Sequence, residues 1–195
     1  KAKFEALYGR AMDAEKGITK VKALNLCGEG IFAMLIDGEN TVVSDPDRKH
    51  CEHALKSLDH LVVIDIFLTE TAAMADVVFP ASAFAETDGV CTNTERRVQR
   101  LRQAVPPPGE ARPDWWIICQ LAQRLGFEGF DYQSAEEIFN ELCNLSPIYA
   151  GLDWDRIDQS QYQWPVPDKD HPGTPILHEE EFKNGRGLFK IIRYR

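Results

Sequence analysis

Apolar and polar positions follow a readable order between Leu61 and Arg100. Leu61-Val62-Val63-Ile64 is an unbroken apolar run of the kind that forms a strand buried on both faces, and Asp65 is the first polar residue at its carboxyl end. Thr69 is placed to cap a short helix over Glu70–Ala75. Val77-Val78-Phe79 is a second buried-strand pattern, stopped by Pro80. Upstream, Ile31–Ile36 is an apolar strand ending in Asp37-Gly38-Glu39-Asn40, and Ser44-Asp45-Pro46 opens a helix with Ala54, Leu55 and Leu58 on one face. Strand, helix and strand make a βαβ crossover, which is right-handed and parallel in nearly all proteins. Asp114–Leu125 repeats Trp115, Ile118, Ala122 and Leu125 at helical spacing between Pro113 and Gly126, and Ser134-x-x-Glu137 is a capping box for a final helix through Leu145. Phe4–Glu15 and Gly17–Glu29 read as short helical or loop segments.

These elements predict an α/β fold: an open, mainly parallel sheet flanked by helices, Rossmann-like and doubly wound, over residues 1–149. Past Pro147 the composition shifts to Trp, Pro, Asp and Gly without sustained periodicity, so 150–195 is expected to be an irregular C-terminal arm.

Composition narrows the function. The 195 residues, 44% hydrophobic, are enough to bury a core. A formal charge of −9 argues against a nucleic-acid surface, which needs a basic face to neutralise phosphates. No apolar run approaches the roughly 20 residues that span a bilayer, and the first residues lack the pattern of a signal peptide. The five cysteines, Cys27, Cys51, Cys91, Cys119 and Cys143, are widely spaced without a CxxC pair, so neither an iron–sulfur centre nor a zinc site is expected here. Dispersed thiols of odd number fit a reducing compartment. The chain begins at Lys1, and we expect an interior piece of a longer polypeptide.

Several residues carry candidate chemistry. Gly38-Glu39-Asn40 joins a residue that tolerates positive φ to polar side chains at a strand's carboxyl end, where α/β sheets bind ligands; an ordinary turn is the plainer reading. The Asp65 carboxylate can accept parallel hydrogen bonds from guanine N1–H and its exocyclic amine, a pattern adenine cannot offer, or it can cap the following turn. Thr69 would be a second contact or simply the N-cap. The segment Phe84–Arg100 gathers Glu86, Thr87, Asp88, Asn93, Glu95, Arg96, Arg97 and Arg100 around Gly89, and its arginines suit phosphates or carboxylates unless it is a plain surface loop. His50, Cys51 and His53 are close on one helix, but no further ligands accompany them, and they are set aside as residues of an exposed helix face. Trp115, Trp116, Phe127 and Phe130 read as core and arm contacts.

The run DIFLTETAAMADVVFPASAFAETDG, continued by CTNTERRVQR and by PPPGEARPDWWIICQLAQRLG at Pro106–Gly126, resembles the large catalytic subunits of the molybdopterin-guanine-dinucleotide oxidoreductases. Within that superfamily it is most similar to formate dehydrogenase alpha subunits. The likeness extends to IDGENTVVSDPD at Ile36–Asp47, SAEEIFNEL at Ser134–Leu142 and WPVPDKDHPGTPILH at Trp164–His178, and so covers nearly the whole chain. It implies cofactor contacts at Gly38, Glu39, Asn40, Ile64, Asp65, Thr69, Thr87 and Asp114. Thr41 stands where the family usually has proline after the Asn, and Thr87 where some members place a lysine. Asp114, at a helix start, can equally be a cap.

The resemblance also implies a bis(molybdopterin guanine dinucleotide) cofactor with molybdenum or tungsten, part of which this chain would hold. The parent would oxidise formate to carbon dioxide and pass electrons on through iron–sulfur clusters. Catalytic residues, metal ligand, cluster and a cofactor-capping domain are expected outside this sequence, and the isolated chain is expected to be inactive. Implied partners are the other domains of the same large subunit and electron-transfer subunits, with no nucleic acid and no membrane contact. The expected location is cytoplasmic, with the periplasm left open. Two alternatives stand: the equivalent domain of a nitrate reductase or of an NADH-quinone oxidoreductase large subunit, or a non-catalytic structural module.

Overall fold

A computed structural model describes residues 2–182 and 184–191. In chain order the elements are α1 Ala2–Tyr8, α2 Lys20–Leu24, β1 Ala33–Asp37, α3 Thr41–Ser44, α4 Arg48–Lys56, β2 His60–Asp65, a 3-10 turn Ala72–Met74, β3 Val77–Pro80, β4 Gly89–Thr92, β5 Arg97–Leu101, α5 Asp114–Arg124, α6 Ala135–Leu145, α7 Trp154–Gln159 and β6 Tyr162–Gln163. They fall into two compact units. One comprises the residues up to Val90 with Arg100–Phe139, the other Cys91–Gln99 with the residues from Asn140 onward.

The first unit is built on a three-stranded parallel sheet in the order β1-β2-β3. Its register runs from Ala33 opposite His60 to Asp37 opposite Ile64, and from Val62 opposite Val77 to Asp65 opposite Pro80. Because all strands point one way, their carboxyl ends, Asp37, Asp65 and Pro80, share one edge. Alternation along the strands sends side chains to both faces. Ile36, Leu61 and Val63 join Leu24 of α2 and Cys51, Ala54 and Leu55 of α4 in one core cluster, while Ile64 packs with Ala81 and with Ile117 of α5 in another. Helices thus cover both faces, the arrangement that lets a parallel strand be apolar throughout. Val63 and Ile64 are fully buried, and each contributes about 1.5–3 kcal/mol by leaving water.

Local chemistry explains the element ends. The Asp47 carboxylate accepts the His50 N–H at 3.0 Å and starts α4 one turn later than the Ser44-Asp45-Pro46 signal suggests. Ser134 Oγ accepts the Glu137 N–H at 3.3 Å, while the Glu137 carboxylate accepts the Gln133 N–H at 2.9 Å, so the capping box closes one residue earlier than its usual partner.

The structure corrects several expectations in detail. The helix after Thr69 contracts to the 3-10 turn, and α3 is an unanticipated turn of helix. Val77 and Val78 are exposed because β3 is an edge strand. On α5 Ala122 is buried as expected, but Ile118 and the C-cap residue Leu125 are exposed and Ile117 and Cys119 are buried instead; neighbouring apolar positions satisfy helical spacing almost equally, and only the sheet chooses between them. Cys51, expected on the exposed face of its helix, is fully buried, whereas His50 and His53 are exposed. Trp116 and Phe127 are also exposed, and the Arg112 guanidinium lies 6.0 Å from the Trp116 ring centre.

The stretch read as a polar loop at Phe84–Arg100 contains the hairpin strands β4 and β5, with Arg96 at the left-handed φ of 69° in the connecting turn. In the second unit β6 pairs antiparallel with β5, Arg97 opposite Gln163 and Val98 opposite Tyr162. The Arg96 guanidinium donates to the carbonyls of Trp164, Thr174 and Pro175. Arg156 likewise donates to Gly151, Asp168 and His171 carbonyls. The C-terminal stretch is otherwise largely irregular, with α7 and β6 as its named elements; residues 183 and 192–195 of the expected arm lie outside the described residues.

Candidate functional site at the carboxyl edge

The edge where β1 and β2 end is held together by main-chain bonds. The Gly38 N–H donates to the Ile64 carbonyl at 2.9 Å, and the Ala81 N–H donates to the Asp65 carbonyl at 3.0 Å. Beyond β3, the Arg112 N–H donates to the Pro80 carbonyl and the Arg112 carbonyl accepts the Ser82 N–H, a bridge that starts α5 beside this edge and brings Asp114 to it. Gly38 has φ +63°, and a Cβ there would meet no atom within 4 Å, so glycine serves the backbone turn and the space above it is open.

Asp65 shows the turn-capping geometry. Its Oδ1 accepts the Ile66 N–H at 2.7 Å and the Phe67 N–H at 3.4 Å, and its Oδ2 accepts the Thr69 hydroxyl at 3.4 Å. A carboxylate offers about four lone-pair sites, so acceptor capacity remains on Oδ2. Thr71, not Thr69, occupies the N-cap position of the 3-10 turn, but Thr69 still supplies the capping bond: its Oγ1 accepts the Ala72 N–H at 3.2 Å and its carbonyl accepts the Ala73 N–H at 2.8 Å.

Glu39 and Asn40 are tied to their neighbours. The Glu39 carboxylate accepts Lys20 Nζ at 2.7 Å and Ser44 Oγ at 2.7 Å, and these bonds hold its pKa below the ordinary glutamate value. Asn40 Oδ1 accepts the Thr71 hydroxyl at 2.9 Å and the Thr71 N–H at 3.3 Å, and its Nδ2 donates to Glu70 at 2.7 Å. Ile64 has no exposed side chain, and its carbonyl is the one Gly38 uses. Thr87 donates its hydroxyl to the Asp88 carbonyl at 3.1 Å, and among the described residues no hydrogen bond joins it to the edge.

Two residues missed in sequence complete the electrostatics and packing. Asp37 has its carboxyl pKa raised, first by partial desolvation and then by the charge of Asp65. Asp114 is raised by burial and then by Asp37, with Asp65 a smaller contributor and its own helix N–H acting in the opposite direction. Pro113, which makes no side-chain cap bond, occupies the N-cap position, so Asp114 is the first helical residue and not the cap. Three carboxylates therefore converge on the edge. Asp37 was findable, since it ends β1 as Asp65 ends β2. Ser82 was not: its Oγ is buried and has no hydrogen-bond partner among the described residues.

The arginines of the hairpin are committed elsewhere. Arg97 pairs with Glu95 at 2.6 Å, Arg100 bonds the Gly89 and Leu101 carbonyls and reaches Asp88 at 3.4 Å, and Arg96 is used within the second unit. No group of three or more His, Cys, Asp or Glu among the described residues is arranged to hold a metal ion.

Comparison with known proteins gives this edge its context. The family described as molybdopterin oxidoreductase matches residues 3–124. The F420-dependent formate dehydrogenase subunit alpha of Methanocaldococcus jannaschii is 49% identical over 195 residues, covering 98% of this chain and 29% of that protein. The F420-dependent formate dehydrogenase 2 subunit alpha of Methanococcus maripaludis is 48% identical over 187 residues, covering 94% of this chain and 28% of that protein. The chain thus spans under a third of the length of these relatives. In fold, the acetylene hydratase of Pelobacter acetylenicus superposes with a TM-score of 0.59 over 76% of this chain and 21% of its own, at 24% identity. With a family match over more than half its length, this chain belongs to the molybdopterin oxidoreductases and is homologous to formate dehydrogenase alpha subunits.

Proposed function

We propose that this chain is the part of a formate dehydrogenase large subunit that holds the guanine end of a molybdopterin guanine dinucleotide, one arm of a bis(pterin) cofactor carrying molybdenum or tungsten. The observation that carries the reading is the Asp65 carboxylate at the end of β2, with acceptor capacity left on Oδ2 and with Asp37 and Asp114 beside it. An edge so rich in acceptors favours a ligand surface rich in N–H and O–H donors, such as the guanine Watson–Crick edge and ribose hydroxyls, and repels phosphate.

The residues present fit such a group. The buried, unpartnered Ser82 hydroxyl is in the state expected of a group whose partner lies outside the protein chain. The open space at Gly38 admits close approach to the backbone. Ile66, Phe67 and Leu68, directly after Asp65, are exposed, with Phe67 at 72% and Leu68 at 76%, and present apolar surface suited to a base or to a neighbouring domain. Gly38, Asp65, Thr69 and Asp114 would hold the nucleotide, with Glu39, Asn40 and Ile64 shaping the edge; Thr87 is retained as a contact on family likeness alone. When bound, the cofactor supplies the metal at which formate is oxidised to carbon dioxide. This chain's own part is to bind and orient, and the isolated chain is inactive.

We further propose, from the family likeness, that the parent carries the iron–sulfur centres and the remaining domains of the large subunit and works with electron-transfer subunits. No helix among the described residues is long and apolar enough to cross a membrane. Separately, the five free, dispersed thiols favour a reducing compartment, so the proposed location is the cytoplasm, with the periplasm as the alternative. The test measures metal and released guanine nucleotide in the full-length protein and its Asp65→Ala variant. Both should be present in the first and reduced in the second; equal content in the two overturns the assignment of Asp65.

A further inference from the structure

We propose that Thr71 is a positioning residue for the nucleotide end of this site, acting through Asn40 to hold the turn after β1 and the loop after β2 as one piece. The inference rests on the reading of Asp65 above. Thr71 is polar yet fully buried. Its hydroxyl donates to Asn40 Oδ1 at 2.9 Å and accepts the Val42 N–H at 3.0 Å, so both sides of the hydroxyl are engaged.

The Val42 bond is the unusual one. A helix start leaves N–H groups without intrahelical partners, and the N-cap side chain ordinarily satisfies one of them. Asn40 occupies the N-cap position of α3 but makes no such bond. The Val42 N–H is capped from the other loop, by Thr71, while the Asn40 side chain crosses in the opposite direction to the Thr71 hydroxyl, the Thr71 N–H and the Glu70 carboxylate. Asn40 thereby spends both oxygen lone pairs and one of its two N–H groups on the second loop, which leaves at most one N–H for a ligand.

Gly38 sits two residues before Asn40, while Asp65 ends β2 and Thr69 lies in the loop that runs from it to Thr71. Exchanging caps between the loops fixes the spacing between the open glycine turn and the Asp65 carboxylate. Replacing Thr71 by valine keeps its shape and removes the hydroxyl, leaving the Val42 N–H unsatisfied in a buried place and Asn40 with one partner fewer.

The experiment uses the full-length protein carrying this chain. Guanine nucleotide released on denaturation is quantified per polypeptide in the wild type and in the Thr71→Val, Thr71→Ser and Asp65→Ala variants. The rate of nucleotide loss after dilution is followed well below each Tm. Thr71→Val should lose nucleotide about tenfold faster than wild type, the change expected from one buried hydrogen bond, and Thr71→Ser should behave as wild type. A general loss of packing would not be rescued by serine, which restores the hydroxyl without the methyl group. Wild-type retention in Thr71→Val, or loss in Thr71→Ser equal to that in Thr71→Val, overturns the proposal. If Asp65→Ala loses nucleotide and Thr71→Val does not, only Thr71 is misassigned; if Asp65→Ala retains it, the guanine reading itself fails. Should Thr71→Val not accumulate in soluble form, Thr71→Ala replaces it, and equal retention in the alanine and serine variants overturns the proposal.

Discussion

The Thr69 hydroxyl donates to Asp65 Oδ2 while the same oxygen accepts the Ala72 N–H, so one side chain both steers the carboxylate and caps the turn behind it. Loss of such a cap costs about 1 kcal/mol. Thr69→Val should lower the stability of the protein by about that amount in urea unfolding, and Thr69→Ser should be close to neutral. A valine variant as stable as wild type would show that the cap is idle.

Convergence of Asp37, Asp65 and Asp114 predicts a pH dependence of definite sign. The carboxyls of Asp37 and Asp114 both titrate above the ordinary aspartate range in the folded chain. Between about 3.9, the unfolded value, and the raised folded values, the native state binds more protons than the unfolded one. The stabilising contribution is therefore complete below the unfolded pKa and lost as pH rises through the folded one. At neutral pH, Asp114→Asn should raise the Tm of the nucleotide-free protein, Asp37→Asn should raise it less because that residue is more exposed, and both gains should fade near pH 4. A lower Tm at neutral pH in Asp114→Asn would mean that favourable contacts hold its charged form.

In the second unit, a Cβ at Gly151 would overlap the backbone of Asp168, while the Gly151 N–H donates to the Val166 carbonyl at 2.7 Å. Backbone cannot yield as a flexible side chain does. Gly151→Ala should destabilise the protein by about 1–3 kcal/mol, seen as a lower midpoint in urea, and an unchanged midpoint would contradict the close approach.

All five cysteines are free, and they differ in access. Cys51 is fully buried, and burial, with a lesser contribution from Asp153, pushes the Cys143 thiol up to about 12. Cys91 is half-buried and is the expected first site of alkylation in the native protein. Mass spectrometry after brief iodoacetamide treatment should find Cys91 modified and Cys51 and Cys143 spared until denaturant is added; early labelling of Cys143 would refute the ranking.

Much of the first unit was legible because short-range rules govern it. The Leu61–Ile64 run, the helix before it and the strand after it were readable from period and punctuation, and a parallel pairing then places Asp37 and Asp65 on one edge. The hairpin at β4 and β5 was hidden because the half-buried positions of β5 are mostly polar, namely Arg97, Gln99 and Arg100, so the two-residue alternation does not appear as an apolar stripe. The buried face of α5 was read correctly at Ala122 and wrongly at Ile118, because neighbouring apolar positions are equivalent until Ile64 and Ala81 select Ile117.

By itself the sequence determined the family, the parallel α/β unit and the candidacy of Asp65 and Thr69, since these depend on residue order, turn chemistry and local period. Tertiary structure decided the rest. That Asp114 reaches the edge follows from the bridge between Ala81 and Arg112, 31 positions apart; that Asn40 is braced by Thr71 follows from two loops meeting across 31 positions; that the arginines are committed follows from partners brought to them by folding. Hydrogen bonds and charge repulsion act over a few ångströms of space, and a linear chain carries no record of which distant residues will stand that close until packing brings them together.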